Sequence, residues 1–277
     1  MAKPRDQWGK VARQWHRVGQ PLRPTPEDIE VLEQFVGLAE MPRARALLLG
    51  VTPEIAAMNW PRGTRLLAVD RSIDMIEYAW AGPEPGEASV LAEAHVIQGD
   101  WRQLPLTDNS RDIIVGDGCL AMFDYPKSFN AVLEGLRRVL SPGGLLSHRF
   151  FLRPEQGEKT ATVFDELLAG RIGNFHIFKW RLAMSLHGGA EQGVRLGDIW
   201  NSWHAAMPDP EVLAQRLNWP LETITTIDAY RDIDTRFTFF TLAEARRACA
   251  PYFRELRCHV PEYELGERCQ TLLFEAV

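Results

Sequence analysis

The sequence predicts a doubly wound α/β fold: a mostly parallel sheet closed by a C-terminal antiparallel hairpin, with an inserted helical cap. Three observations predict it. Between residues 46 and 151 short continuous apolar runs alternate with helical segments, as expected of strands covered on both faces. From about 156 to 230 helical periodicity takes over, without a clear strand and with many tryptophans and phenylalanines. Beyond residue 255 two β-type segments flank Gly266 and read as a closing hairpin.

The elements follow in order. Thr25-Pro26-Glu27-Asp28 supplies an N-cap, a proline at the first helical position and acids in the first turn, and Ile29, Leu32, Phe35 and Val36 continue at helical spacing. Strands are predicted over 46–49, 65–69, 95–98, 112–116 and 144–151, with helices over 53–59, 73–81 and 126–140. Residues 82–86 (G-P-E-P-G) and Ser141-Pro142-Gly143-Gly144 read as turns. After Pro154 come Phe164, Phe175, Phe178, Trp180, Trp200, Trp203 and Trp219 of the cap. Thr241 and Glu244 form a capping box that opens a helix through Tyr252, and strands follow over 255–263 and 270–276. The expected layout is an N-terminal arm and helix (1–45), a core (46–154 and 236–277) and a cap (155–235).

A net charge of -6 leaves no general basic field, so nucleic acid is not an expected partner and a small molecule is. The 45% hydrophobic content supports a real core, and no apolar run reaches the roughly 18 residues of a membrane span. Cys119, Cys249, Cys258 and Cys269 form no C-x-x-C pair, which suits reduced thiols in the cytoplasm and no metal site. The start of the chain lacks an apolar secretion core. Its basic residues Lys3, Arg5, Lys10, Arg13, Arg17 and Arg23 read as an arm, and a homodimer is compatible with all of this.

Two aspartates carry the chemistry. Asp70 ends the second strand about 20 residues after Gly50, at a sheet edge where a carboxylate can accept both hydroxyls of a ribose. A solvated strand-end aspartate is the alternative. Asp100, followed by Trp101, ends the next strand, where it could accept an exocyclic amine or simply cap a turn.

The order L-L-L-G, V-D-R-S-I-D-M-I, Q-G-D-W-R-Q-L-P-L-T-D-N-S-R-D-I-I-V-G-D-G and L-R-R-V-L-S-P-G-G-L-L resembles the class I S-adenosylmethionine-dependent methyltransferases over about residues 45–150. The resemblance implies a Rossmann-like core that binds S-adenosyl-L-methionine and releases S-adenosyl-L-homocysteine. Gly50 would open the cofactor loop, Asp70, with Arg71 beside it, would take the ribose, and Met75 would wall the adenine. Asp100 would hold the adenine amine, Trp101 its ring or N1, and Asp117-Gly118 would face methionine and substrate.

The glycine loop departs from the family, with Leu48, Thr52 and Glu54 in place of an acid and two glycines. Adenosylmethionine has no pyrophosphate to cradle, so helix initiation can survive with Thr52 as cap, Pro53 at the first position and Glu54 at the positive end of the helix dipole. The Thr52 hydroxyl is then expected to contact the methionine end, with Glu54 facing away and Arg13 or Arg17 balancing the cofactor carboxylate. Positioning supplies most of the rate of methyl transfer, and a base is optional. His148, His176, His204 and Asp117 are conceivable bases, and none is singled out. The stripe Ile177, Trp180, Met184 reads either as core or as acceptor pocket, and Trp8 and Trp15 either close over the cofactor or pack on the sheet. The expectation is a methyltransferase for a small-molecule acceptor, oxygen favoured over nitrogen or carbon. The alternatives are a non-catalytic binder of the same cofactor and, further off, an NAD-type dehydrogenase.

Overall fold

The computed structural model describes residues 7–80 and 91–277. Lys3, Arg5 and the 82–86 turn lie outside the described residues. Seven strands form one sheet: β1 (Arg45–Leu49), β2 (Thr64–Asp70), β3 (Leu91–Gln98), β4 (Arg111–Asp117), β5 (Leu140–Arg149), β8 (Phe253–His259) and β9 (Thr271–Ala276), in the order β3-β2-β1-β4-β5-β9-β8. The pairings from β3 to β5 are parallel, and β9 runs antiparallel to both β5 and β8. This is the doubly wound sheet with its C-terminal hairpin.

The apolar runs are continuous because both faces are covered. Leu47 and Leu49 pack with Ile114, Leu136 and Phe274 on one face, while Ala46 and Leu48 pack with Ile55, Leu66 and Val115 on the other. The first of these layers includes α5 (Lys127–Val139), the second α3 (Pro53–Ala56) and α4 (Ile73–Ala79). The arm contributes α1 (Trp8–Arg13), packed on α4, and α2 (Pro26–Gly37), whose capping box joins Thr25 and Asp28.

Several boundaries differ from expectation for local reasons. The helix expected over 53–59 is a single turn, because Trp60 folds back and its Nε1 donates to the Ile55 carbonyl at 3.1 Å. Strand β3 begins four residues early; it is an edge strand, and its exposed Ala92, Glu93 and His95 break the apolar signature. Ser141 to Gly144 is an irregularity inside β5 rather than a turn before it: Leu140 already pairs with Arg111, and the register shifts before Ile113 meets Leu145. The helix expected through Tyr252, α11 (Leu242–Cys249), stops at Cys249 and β8 follows from Phe253.

Between the parallel strands and the hairpin lie α6 (Thr160–Leu168), α7 (Phe175–Ser185), α8 (Leu196–Ala206), α9 (Pro210–Leu217) and α10 (Leu221–Ile224). One short antiparallel pair, β6 (Val194–Arg195) with β7 (Arg236–Phe237), was not expected; two residues are too few for a period-2 pattern. Helix α7 is buried nearly all round, including Lys179 at 3% exposure, so it is the centre of this layer and not its amphipathic rim.

Candidate functional site

A cavity of about 880 Å³ opens at the carboxyl ends of the parallel strands, where the order reverses between β1 and β4. Such a switch point is where open α/β sheets leave a crevice, because the loops on its two sides diverge to opposite faces. The volume lies in the range of small-molecule sites. The cavity runs from Gly50, Asp70 and Gln98 at three strand ends, past Asp117, to side chains of the inserted helices.

In the first half, Gly50 follows β1 with φ +94°, a conformation that favours glycine. A Cβ there would point at Asp70 Oδ2, 3.7 Å away, and at the Trp101 ring, 3.9 Å away, so the missing side chain keeps open the space between β1 and β2. Asp70 Oδ1 accepts from the Ser72 amide at 2.7 Å, and the Ser72 hydroxyl caps α4 by accepting from the Met75 amide at 3.3 Å. The carboxylate is thereby aimed by the turn that starts α4. Burial pushes its pKa up to about 6, against the lowering effect of the Ser72 amide and Arg71. Met75 is buried on the cavity wall, and Arg71 lines it beside Asp70.

Asp100 and Trp101 also line the cavity, though both have partners of their own. Asp100 caps a short 3-10 turn through the Arg102 amide at 2.9 Å and is forked by the Arg102 guanidinium, which holds its carboxyl below the usual range. Trp101 Nε1 donates to the Val69 carbonyl at 2.6 Å, so only the ring face of this residue remains for a ligand.

Thr52 stands at the N-cap position of α3, but its side chain makes no capping hydrogen bond, which corrects that expectation; it lines the cavity instead. Glu54 is drawn to Arg23, whose Nε donates to its Oε1 at 2.7 Å. Neither Arg13 nor Arg17, the arm residues expected to balance the cofactor carboxylate, lines the cavity, and Arg17 pairs with Glu222 at 3.5 Å. Trp8 and Trp15 both line the cavity, with Val11, Gln14, Val18 and Leu22, so the arm covers its mouth.

Past Gly50 the wall becomes Asp117 at the end of β4, Gly118 and Cys119 after it, and Phe151 after β5. Asp117 accepts from Arg149 Nε at 2.6 Å, and the fully buried Arg149 also reaches Asp28 at 3.4 Å, the Tyr263 hydroxyl at 3.0 Å and the Pro21 carbonyl at 2.9 Å. Gly118, at φ +61°, leaves room for the Phe151 ring, 2.1 Å from where a Cβ would stand. The far end is formed by Lys179, Trp180, Thr226, Tyr230 and Phe237.

The histidines do not supply a ready base. His148 is buried behind Cys119 (Sγ to Nε2, 3.3 Å), and burial together with Arg149 lowers its pKa to about 3. Burial and Lys179 lower that of His176 to about 3 also, and its Nε2 lies 3.0 Å from the Arg17 carbonyl oxygen. His204 stacks on Trp200 outside the cavity lining. The Cys119 thiol is pushed well up by burial and stays protonated.

All nine expected contact residues, Gly50, Thr52, Asp70, Arg71, Met75, Asp100, Trp101, Asp117 and Gly118, thus lie on one cavity. Sequence reasoning missed Arg149, Lys179, Thr226 and Tyr230. One signal was available: Lys179 sits among aromatic and aliphatic residues in the run F-H-I-F-K-W-R-L-A-M, which marks a charge inside a largely buried helix. Trp180 is both core and cavity wall, while Ile177 and Met184 are core alone.

Residues 48–147 match a family model described as a methyltransferase domain. A malonyl-[acyl-carrier protein] O-methyltransferase of Xylella fastidiosa is 33% identical over 93 residues, 32% of this chain and 27% of that protein, so the chain matches about a quarter of the relative's length. Among solved structures, a SAM-dependent methyltransferase of Methanosarcina mazei has a TM-score of 0.52 at 16% identity, covering 92% of this chain and 99% of the other. A Rhodobacter sphaeroides protein described as a Zn-dependent alcohol dehydrogenase has a TM-score of 0.55 at 11% identity, covering 99% and 100%. At these identities the two structures speak for a shared fold.

Proposed function

We infer that this protein, whose residues 48–147 form a class I S-adenosylmethionine-dependent methyltransferase domain, transfers a methyl group to an oxygen of a small-molecule acceptor. The observation that carries the reading is the Gly50 and Asp70 pair: a side-chain-free approach and a half-buried carboxylate face one space at the switch point. The cofactor of such a domain is S-adenosyl-L-methionine, which supplies a sulfonium-activated methyl group and leaves as S-adenosyl-L-homocysteine.

The residues fit that ligand. Asp70 accepts the ribose hydroxyls, each bond to a charged acceptor contributing about 1.5–3 kcal/mol. Met75 and the Trp101 ring flank the base, and Asp100 accepts its amine with the lone pairs Arg102 leaves. Gly50, Thr52 and the Asp117-Gly118 corner receive the methionine end, and Arg71 adds positive charge beside the Asp70 carboxylate. Residues 46–154 and 236–277 act as the catalytic core, and 155–235 as the cap that selects the acceptor. The chain contributes mainly by holding acceptor and methyl group in line under the arm and the cap, which is worth several kcal/mol in an oriented site. The relative's action at oxygen favours an oxygen acceptor, and among the described residues no histidine lines the cavity to serve as its base.

Calorimetric titration with S-adenosylmethionine, S-adenosylhomocysteine and NAD tests the reading. Binding of the first two, lost in Asp70→Ala, is expected. Binding of NAD alone would reverse it, and tight cofactor binding with no product across a broad acceptor panel would favour a non-catalytic binder.

A further inference from the structure

Lys179 is the one cation buried at the acceptor end of the cavity, and among the described residues no carboxylate lies within 4 Å of it. Its Nζ is 3.4 Å from the Thr226 hydroxyl oxygen, which already gives its proton to the Thr223 carbonyl at 2.7 Å and so can only accept. The Tyr230 ring lies 5.3 Å away. One of three ammonium protons therefore has a protein acceptor. Of the other charged groups on the cavity, Asp100 pairs with Arg102, Asp117 with Arg149 and Asp234 with Arg195 at 3.2 Å, and Arg236 donates to the Gln192 carbonyl at 2.9 Å; Asp70, Arg71 and Asp124, which also line it, have no ion pair within 4 Å among the described residues.

A lysine side chain placed this deep loses its hydration without gaining a counter-ion, an arrangement that costs stability and is released by a ligand anion. Ala121, Met122, Phe151, Trp180 and Phe237 supply the apolar part of the wall, with Asp234, Thr235 and Arg236 beside Phe237. A single ammonium in such walls matches a monoanion on an apolar body; a phosphate dianion would bring in one uncompensated charge. We propose that the methyl acceptor carries a carboxylate, and that Lys179 and Thr226 at the far end of the cavity bind it and hold its apolar body against Trp180 and Phe237. The proposal rests on the methyltransferase reading for the word acceptor; the anion site itself is defined by Lys179 and its surroundings. Burial, which lowers the pKa of the amine to about 7, is consistent with a site that waits for its counter-ion.

The test uses the full chain loaded with S-adenosylhomocysteine, titrated calorimetrically with benzoate, phenylacetate and octanoate, with the amide of each, and with phenyl phosphate. At least one acid is expected to bind tenfold or more tightly than its amide and more tightly than phenyl phosphate. Lys179→Met, and Lys179→Gln as a second variant, should abolish that preference while changing S-adenosylhomocysteine affinity less than twofold, and Lys179→Arg should keep part of it. Equal binding of acid and amide, no binding by any of the three acids, or a preference that survives both neutral variants would overturn the proposal. Should S-adenosylhomocysteine not bind the wild type, the cofactor reading fails, and the same acid and amide pairs on the unloaded protein decide the role of Lys179 alone.

Discussion

Arg149 Nε donates to Asp117 Oδ1 at 2.6 Å with the arginine fully buried and the aspartate 5% exposed, so the floor of the cavity is an ion pair shut away from water. Asp28, which also caps α2, closes the cluster from the other side, and Tyr263 donates to it at 3.0 Å. Burial pushes the Asp117 pKa up, Arg149 opposes that rise, and the two acids hold Arg149 firmly protonated.

Removing the arginine leaves two buried carboxylates without their cation. Arg149→Met is expected to cost about 3–5 kcal/mol, the range for breaking a buried pair from one side. Urea denaturation at pH 7.5 measures it, and a loss below about 1 kcal/mol would show that the pair is not holding the floor.

If Asp70 holds the cofactor's ribose as proposed, its raised pKa makes that binding sensitive to acid. A carboxylate accepts ribose hydroxyls only when ionised, so affinity should be flat above pH 7 and fall as pH drops through about 6, approaching tenfold per pH unit. Asp70→Asn should bind weakly with no such fall. The same shift carries a stability sign: the folded-state pKa lies above the ordinary 3.8, so ionised Asp70 destabilises the free protein fully above pH 6 and not at all below 3.8. Asp70→Asn should therefore stabilise the unliganded chain by up to about 3 kcal/mol at pH 7–8.

Lys179 behaves in the opposite sense. Its folded pKa is lowered from 10.5 to about 7, so the unfolded chain binds the extra proton between those values and stability rises with pH across that window. Lys179→Met should gain up to about 5 kcal/mol over wild type at pH 6, with the gap closing toward pH 10.5. Thermal melts of both proteins across this range give the difference; a gap independent of pH would show that the gain is only one of packing.

Gly118→Ala meets two obstacles, a backbone at φ +61° and the Phe151 ring 2.1 Å from the new Cβ. A cost of at least about 2 kcal/mol is expected. Because Phe151 also packs edge-on against Trp180 at 5.1 Å, acceptor binding should weaken more than cofactor binding, which titration of each ligand separates.

The sequence alone determined the doubly wound sheet, its hairpin, the caps at Thr25 and Thr241, and the pair of strand-end aspartates, because apolar runs and capping residues act over a few positions. The nine expected contact residues line one cavity, since a parallel sheet brings the carboxyl ends of its strands to one edge. What only the tertiary structure decided is which of these groups are already engaged. Asp117 turns to Arg149 and Glu54 to Arg23, partners 32 and 31 residues away that no local pattern links, whereas Asp100 is taken by Arg102 two residues on. The same holds for the far wall. Lys179, Thr226 and Tyr230 meet at the cavity because the inserted helices fold back over the sheet, and the charge of a buried lysine depends on the dielectric and the neighbours that packing creates.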